Sequence, residues 1–415
     1  MRRADSPTLA LFGLFGCHNL GNEATLAAVV HGLRQQLPDV RLVLVSDPPS
    51  PEAELPVIPL QFAHDPMLIN ASLERAPYRF RSWLRPLLVL LTEPLRRRLV
   101  RTQAAGIDQF LIAGTGIADD FYQGPFDVPI DLQRWCHAVR SQGGKVRFLS
   151  VGAGPVSHWL SVRWFRQALA SADYRSYREV SSHRFALAIG IDAQADPVLP
   201  DMVFSLPVEE YLAQRPLQWP PKAIGLGVMA YRGWNVDEAT GERLYGEYLD
   251  KLARLAQALL ARGYEVRLLT GTRGSDPRAV QDLLSRLTPE QKTRVIAADI
   301  RSYRDVLTQI AASDLVIATR FHNVLKALLL ERPVISIEYG HKNSDLMKDI
   351  GLQAFCHSAH NFDVDAVLAQ VDQQAALPTP PVDAIRARVA EYKDQLRRQF
   401  ERVAAGKTDM VGETK

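Results

Sequence analysis

At 415 residues the chain is long for one domain and suits two of about 200 each. A composition 47% hydrophobic and 23% charged excludes a disordered chain, and a net charge of +3 without a Lys/Arg run interleaved with aromatics excludes a nucleic-acid binder. Any anion site must therefore be a local concentration of cations. No apolar stretch reaches the roughly 18 residues of a membrane span. Cys17, Cys136 and Cys356 are odd in number and widely spaced, which is no disulfide framework and fits a reducing cytoplasm. The apolar run Leu9 to Phe15 is short and leads straight into a Gly-containing turn, so it does not read as a signal peptide.

Thr8 to Phe15 reads as the first strand, followed by Gly16-Cys-His-Asn-Leu-Gly-Asn-Glu-Ala24, a helix to about Leu37 and a second strand from Val40 to Val45. Such a turn brings backbone close to a ligand, although it matches neither G-x-G-x-x-G nor a P-loop. Residues 47–105 are rich in proline and show no clean alternation of elements. Within them Trp83 to Leu95 is apolar and is followed by Arg96, Arg97, Arg98 and Arg101. Two readings of 83–101 stand open: a peripheral contact with anionic headgroups, and the commoner partly buried helix with a solvated basic end. Alternation resumes with the strand Gln109 to Ala113 and then Gly114-Thr-Gly-Ile-Ala-Asp-Asp120, where small residues permit close approach. Asp119 and Asp120 read equally as site carboxylates and as a helix N-cap. Lys145 to Val151 and Tyr174 to Tyr177 are further strands, and Arg178 falls at the strand-to-helix turn that follows the second. Four prolines and no periodicity between Ser205 and Pro221 predict a linker at 206–221.

The second half alternates more regularly. Strands near 223–228, 265–270, 294–297, 314–318 and 334–337 are separated by helices near 241–262, 277–287, 303–312 and 321–331, which implies a parallel, doubly wound α/β sheet. Right-handed crossovers place every strand's carboxyl end on one rim. Tyr231 and Trp234, after the first of these strands, offer a sugar-stacking platform or ordinary loop packing. Arg320 and His322 fall at the turn between the strand Asp314 to Ala318 and the next helix, and Lys342 follows the strand ending at Glu338. Cations at the positive end of a helix are unfavourable by about 0.3–1 kcal/mol each, so this group asks for an anionic partner. Cys356-His-Ser-Ala-His360 has metal-ligand residue types but no second cluster, and no metal is expected. A last helix near 382–404 carries Ile385, Val389, Tyr392, Leu396, Phe400 and Val403 at helical spacing.

The pattern Arg320-x-His322, a helix, Pro333-Val-Ile and Lys342 resembles the C-terminal signature of the polysaccharide pyruvyl transferases. Asn19-Leu-Gly-Asn-Glu-Ala24 is similar to the family's opening Asn-x-Gly-Asp-Glu-Ala, with Asn22 in the usual Asp place. Gly114 to Asp120, Arg178-Glu-Val-Ser and Asp196-Pro197 resemble its other elements. The resemblance implies two Rossmann-like doubly wound domains facing across a cleft, a GT-B-like fold. It implies an acceptor-side domain at 1–205, a phosphoenolpyruvate-side domain at 222–380 and a helix at 381–404 packing back across the domains, and the polar residues after Gly406 predict a mobile tail at 405–415.

It also implies transfer of the enolpyruvyl unit of phosphoenolpyruvate to saccharide hydroxyls with closure of a ketal, during cell-surface or exopolysaccharide biosynthesis. Phosphoenolpyruvate is a substrate here and no cofactor is expected. As a small polyanion it needs fixed, forked cations: Arg320 and Arg178, with Lys342 as a point charge and Asn19 beside them. His322 suits the acid that protonates the enol carbon, next to Arg320. Asn22, Glu23, Asp119, Asp120 and Trp234 are expected on the acceptor, free or lipid-linked. The expected location is the cytoplasm, at the inner face of the membrane if 83–101 makes its contact. Rival readings are a GT-B nucleotide-sugar glycosyltransferase, for which Glu338 is the obvious donor-side carboxylate, and a catalytically degenerate glycan-binding protein.

Overall fold

Unbroken apolar runs such as Phe110-Leu-Ile-Ala113 and Leu315-Val-Ile-Ala318 form strands buried along their whole length, the pattern of a parallel sheet covered on both faces. The computed structural model describes residues 6–16, 18–46, 54–60, 78–117, 124–156, 158–233 and 236–406, with side chains at 78–88 and 90 left aside. The chain forms two units, Met1–Cys17 with Thr25–Met202 and Gln395–Lys415, and His18–Ala24 with Val203–Asp394.

In the first unit the elements are β1 (Thr8–Phe12), α1 (Leu20–Gln36, its first turn counted with the second unit), β2 (Arg41–Ser46), β3 (Val57–Pro59), α2 (Tyr78–Gln103), β4 (Gln109–Ala113), α3 (Val128–Arg140), β5 (Lys145–Val151), α4 (Trp159–Ala170), β6 (Tyr174–Tyr177) and α5 (Val180–Ala188). The six strands pair in parallel in the order β3-β2-β1-β4-β5-β6, so the direction of winding reverses between β1 and β4. Phe110 stacks on Trp135 of α3 with ring centroids 5.7 Å apart, at the centre of a core that includes Phe12, Val100 and Phe165. Helices α2, α3 and α4 pack side by side.

The second unit contains α6 (Glu209–Gln214), β7 (Ala223–Gly227), α7 (Glu238–Ala261), β8 (Glu265–Leu269), α8 (Asp276–Leu284), α9 (Pro289–Thr293), β9 (Val295–Ile296), α10 (Tyr303–Ala311), β10 (Leu315–Ala318), α11 (Phe321–Leu329), β11 (Val334–Glu338), α12 (His341–Asp349), β12 (Cys356–Ser358), α13 (Val364–Ala375) and the first half of α14 (Asp383–Ala404). Its parallel sheet has the order β12-β11-β10-β7-β8-β9 and reverses between β10 and β7. At that reversal a Cβ on Gly227 would come within 2.9 Å of Ala318 Cα, so the two strands approach as closely as glycine allows.

Several short elements have no sequence signal. The stretch expected as a linker contains α6, a single short helix with no buried residue. Helix α12 buries only Asn343 and Met347, which is no apolar stripe, and β12 is three residues long. The periodic positions of α14 are all buried, as expected. Its end is capped by side chains of the first unit: Gln109 Nε2 donates to Val403 O at 3.3 Å and Lys145 Nζ to Gly406 O at 2.6 Å.

Candidate active site

Arg320 is the residue before α11, and its carbonyl accepts the N–H groups of Asn323 and Val324, so the chain turns into the helix directly off β10. This places Arg320 and His322 at the carboxyl end of a strand at the winding reversal, where ligands bind in open α/β sheets. Lys342 is the second residue of α12, half-buried, beyond the neighbouring strand β11. Asn343 ties the start of α12 to the same turn, its Nδ2 donating to Thr319 O at 3.2 Å and to Ser336 Oγ at 3.0 Å. The three residues expected on one rim thus stand on adjacent strand ends.

Arg320 is not an unpaired fork. Its Nε donates to Asp276 Oδ2 at 3.2 Å and its NH2 to Asp276 Oδ1. Asp276 is fully buried, and its Oδ2 also accepts Gly271 N at 2.9 Å and Thr272 N at 3.1 Å. Burial works against the guanidinium charge, but the facing Asp276 carboxylate outweighs it and holds the Arg320 pKa above its ordinary value. The side chain is 23% exposed. The edge opposite Asp276, that of NH1, is the one it can offer a ligand.

His322 stands in the first turn of α11, half-buried and edge-on to Phe321 with centroids 5.3 Å apart. Its ring lies over Gly21, where a Cβ would fall 2.1 Å from His322 Nδ1. The turn carrying Gly21 is pinned to the loop that holds Asp276. His18 adopts a left-handed backbone with φ of 59°, and its carbonyl accepts Arg273 N and Thr272 Oγ1, each at 3.0 Å. Leu20 N donates to Gly271 O at 3.0 Å, and Lys326 Nζ, on a fully buried side chain, donates to Leu20 O at 3.3 Å. Asn19 caps α1, its Oδ1 accepting Gly21 N at 2.9 Å, while Asn22 and Glu23 are buried in the helix's first turn. Residues 18–24 and the 271–276 loop therefore form one support beneath Arg320 and His322.

Gly21→Ala should accordingly displace the imidazole. A misplacement of about 1 Å lowers turnover by about 10²-fold. The measurement is a double-mutant cycle with His322→Ala, in which Gly21→Ala should have no further effect. Equal loss in both backgrounds would mean that Gly21 acts elsewhere.

In the first unit Arg178 is only 3% exposed: Nε donates to Glu179 Oε2 at 2.8 Å, and NH1 to Asp201 Oδ2 at 3.2 Å and Gly114 O at 3.3 Å. Glu179 in turn accepts from Ser182 Oγ. The Arg-Glu-x-x-Ser element is thus an internal network in which Nε and NH1 of Arg178 are held by Glu179, Asp201 and Gly114. Tyr231 is a core residue, buried against Tyr248 with centroids 5.6 Å apart, which decides its part of the stacking platform in favour of packing. Asp119, Asp120 and Trp234 lie outside the described residues. Glu338 Oε2 accepts Ser344 N at 3.0 Å and so stabilises the first turn of α12. His357 Nε2 contacts Gln370 Oε1 at 2.8 Å, and among the described residues no group of three His, Cys, Asp or Glu side chains could hold a metal.

Three residues of this support carried no assigned role in the sequence reading. Asp276 falls just before the helix expected at 277–287 and carries no reading of its own, and Gly21 reads as part of a turn and of the opening motif. Lys326 had a visible signal, a lone charge inside the apolar run Val324-Leu-Lys-Ala-Leu328.

The family model for polysaccharide pyruvyl transferase matches residues 19–341, from the capping Asn19 to the first residue of α12. Over 132 residues the chain is 24% identical to the amylovoran biosynthesis protein AmsJ of Erwinia amylovora, a match that covers 30% of this chain and 32% of that protein. The chain therefore spans about a third of the length of the curated relative it matches. Among solved structures it is similar to the UDP-GlcNAc 2-epimerase of Methanocaldococcus jannaschii, with a TM-score of 0.53, 9% identity, and coverage of 93% of this chain and 99% of that one. The Alr3699/HepE protein of Anabaena, solved with UDP and glucose, gives a TM-score of 0.51 at 14% identity, with coverage of 98% and 96%. At such identities the likeness is one of fold, and the fold is GT-B-like.

Proposed function

Because the chain belongs to the polysaccharide pyruvyl transferase family, we propose that it moves the enolpyruvyl unit of phosphoenolpyruvate onto two hydroxyls of a saccharide to form a pyruvate ketal. The observation that carries this reading is the rim of the second unit, where Arg320, His322 and Lys342 stand on adjacent strand ends over one buried support. A relative named for amylovoran biosynthesis supports a polysaccharide as the acceptor or its product.

In this reading the NH1 edge of Arg320 and the ammonium of Lys342 take the phosphate and carboxylate oxygens. Asn19 adds its amide nitrogen, since its carbonyl oxygen is engaged by Gly21 N. His322 gives a proton to the CH2 carbon of the enol, and the neighbouring carbon becomes an oxocarbenium-like electrophile. A sugar hydroxyl forms the new C–O bond and yields its proton to a base, for which Glu23, buried in the same turn as Gly21, is the described candidate. The bond to the phosphate oxygen then breaks and inorganic phosphate leaves with the bonding pair. A second hydroxyl closes the ketal and releases its proton.

The deciding experiment incubates the protein with phosphoenolpyruvate and a panel of saccharides while following phosphate release. Saccharide-dependent release supports the reading. The nucleotide-sugar alternative is less well served by these residues, because Glu338 is engaged in the first turn of α12. It predicts that UDP-type ligands raise the melting temperature and phosphoenolpyruvate does not. Arg320→Lys keeps the charge but can hold neither Asp276 nor an anion by a fork. Phosphoenolpyruvate affinity in a calorimetric titration should fall by about 1.5–3 kcal/mol, the worth of a charged hydrogen bond. An unchanged affinity removes Arg320 from the site.

A further inference from the structure

Helix α2 is patterned inside out. Its side chains described from Val89 onward bury Val89, Arg96 and Val100, and hold Arg96 Nε on Thr92 Oγ1 at 2.9 Å. Leu91, Leu95 and Leu99 instead point to solvent, at 69%, 56% and 37% exposure. Spaced four apart, they form one stripe along the helix. Val100 on the opposite face of α2 joins the core of the unit and the helix packs on α3, while among the described residues the leucine stripe stays exposed. Exposed Arg98 stands beside it, and Arg101 follows further round the solvent side of the helix.

The acids nearby are withdrawn. Glu93, the carboxylate of the described part of α2, accepts Arg97 Nε at 2.8 Å and Arg134 Nε at 3.1 Å, and Asp131 on α3 is fully buried beside Arg134 at 2.6 Å. Among the described side chains of α2, the exposed ones include these leucines and arginines and no carboxylate. We infer that this face of α2 docks on an anionic lipid surface, with the leucines among the upper acyl chains and Arg98 and Arg101 at the headgroups. Charge separates this occupant from a second copy of the chain. Phosphate-bearing headgroups complement Arg98 and Arg101, whereas a second copy would present the same leucines and like-charged arginines and no exposed carboxylate of the described part of α2. Among the described residues no helix is long and apolar enough to cross a membrane, so the contact is a helix lying on the surface. The inference is independent of the donor chemistry, and its test uses no saccharide or phosphoenolpyruvate.

The full-length protein is floated with vesicles of neutral phosphatidylcholine and with vesicles containing a third of phosphatidylglycerol. Binding should be stronger to the anionic vesicles by about 10–10²-fold and should weaken as salt is raised. Two variants address the two halves of the face, Leu91→Ser/Leu95→Ser/Leu99→Ser and Arg98→Glu/Arg101→Glu. All of these side chains are exposed, so melting temperatures should stay at the wild-type value while vesicle binding is lost in both. Equal binding to neutral and anionic vesicles, or undiminished binding by the leucine variant, overturns the inference. So does a wild-type dimer that fails to float and becomes monomeric in the leucine variant, which would assign the stripe to self-association.

Discussion

Replacing His322 by Gln should lower the rate of phosphate release from phosphoenolpyruvate by about 10²–10⁴-fold while leaving phosphoenolpyruvate bound, the loss typical of a missing general acid. Gln has similar reach and polarity but cannot give up a proton. The cations assigned to the anion, Arg320 and Lys342, are left in place, and Arg320 keeps its hold on Asp276. The sign of the pH effect follows from the same role. An acid must be protonated to act, so wild-type turnover should fall as pH rises through the histidine's titration, and the variant should lose that limb of the profile. The measurement pairs single-turnover phosphate release with calorimetric binding across the pH range. A variant that releases phosphate at the wild-type rate would remove His322 as the acid. One that no longer binds would make it a ligand contact instead.

Asp276→Ala should be the most destabilising substitution at the site, by about 3–5 kcal/mol, because it strands a largely buried guanidinium and two backbone N–H groups at once. Asp276 is fully buried and accepts from Arg320, Gly271 and Thr272. The loop it orders also receives His18 and Leu20 through Thr272, Arg273 and Gly271, so the turn beneath His322 should loosen with it. Asp276→Asn keeps an acceptor and a similar shape, and should lose less stability while still weakening phosphoenolpyruvate binding through Arg320. Denaturant midpoints at unchanged m-value provide the measurement. A shift of Asp276→Ala within about 0.5 kcal/mol of wild type, the range of ordinary surface changes, would mean that the pair is dispensable.

Local order in the chain was enough for the strand-helix alternation and for the rim. Strands buried on both faces are continuous apolar runs, readable at Phe110 to Ala113 and Leu315 to Ala318 without knowledge of their neighbours. A residue just after such a run must lie at a strand's carboxyl end, which is why Arg320, His322 and Lys342 could be placed on one edge. The buried stripe of α14 was legible for the same reason, since a helical repeat reports its own buried face. Only the tertiary structure could show what those side chains meet. The partner of Arg320 is Asp276, 44 residues earlier, and the ring of His322 rests on Gly21 at the other end of the sequence; neither pairing leaves a periodic trace. Arg178 has Glu179 beside it in the sequence, but its second carboxylate, Asp201, is brought to it only by the fold. On α2 hydrophobicity alone pointed inward, yet Arg96 is buried and Leu91, Leu95 and Leu99 are not. Apolar character says that a side chain prefers to leave water, and which neighbour takes it out of water is decided in three dimensions.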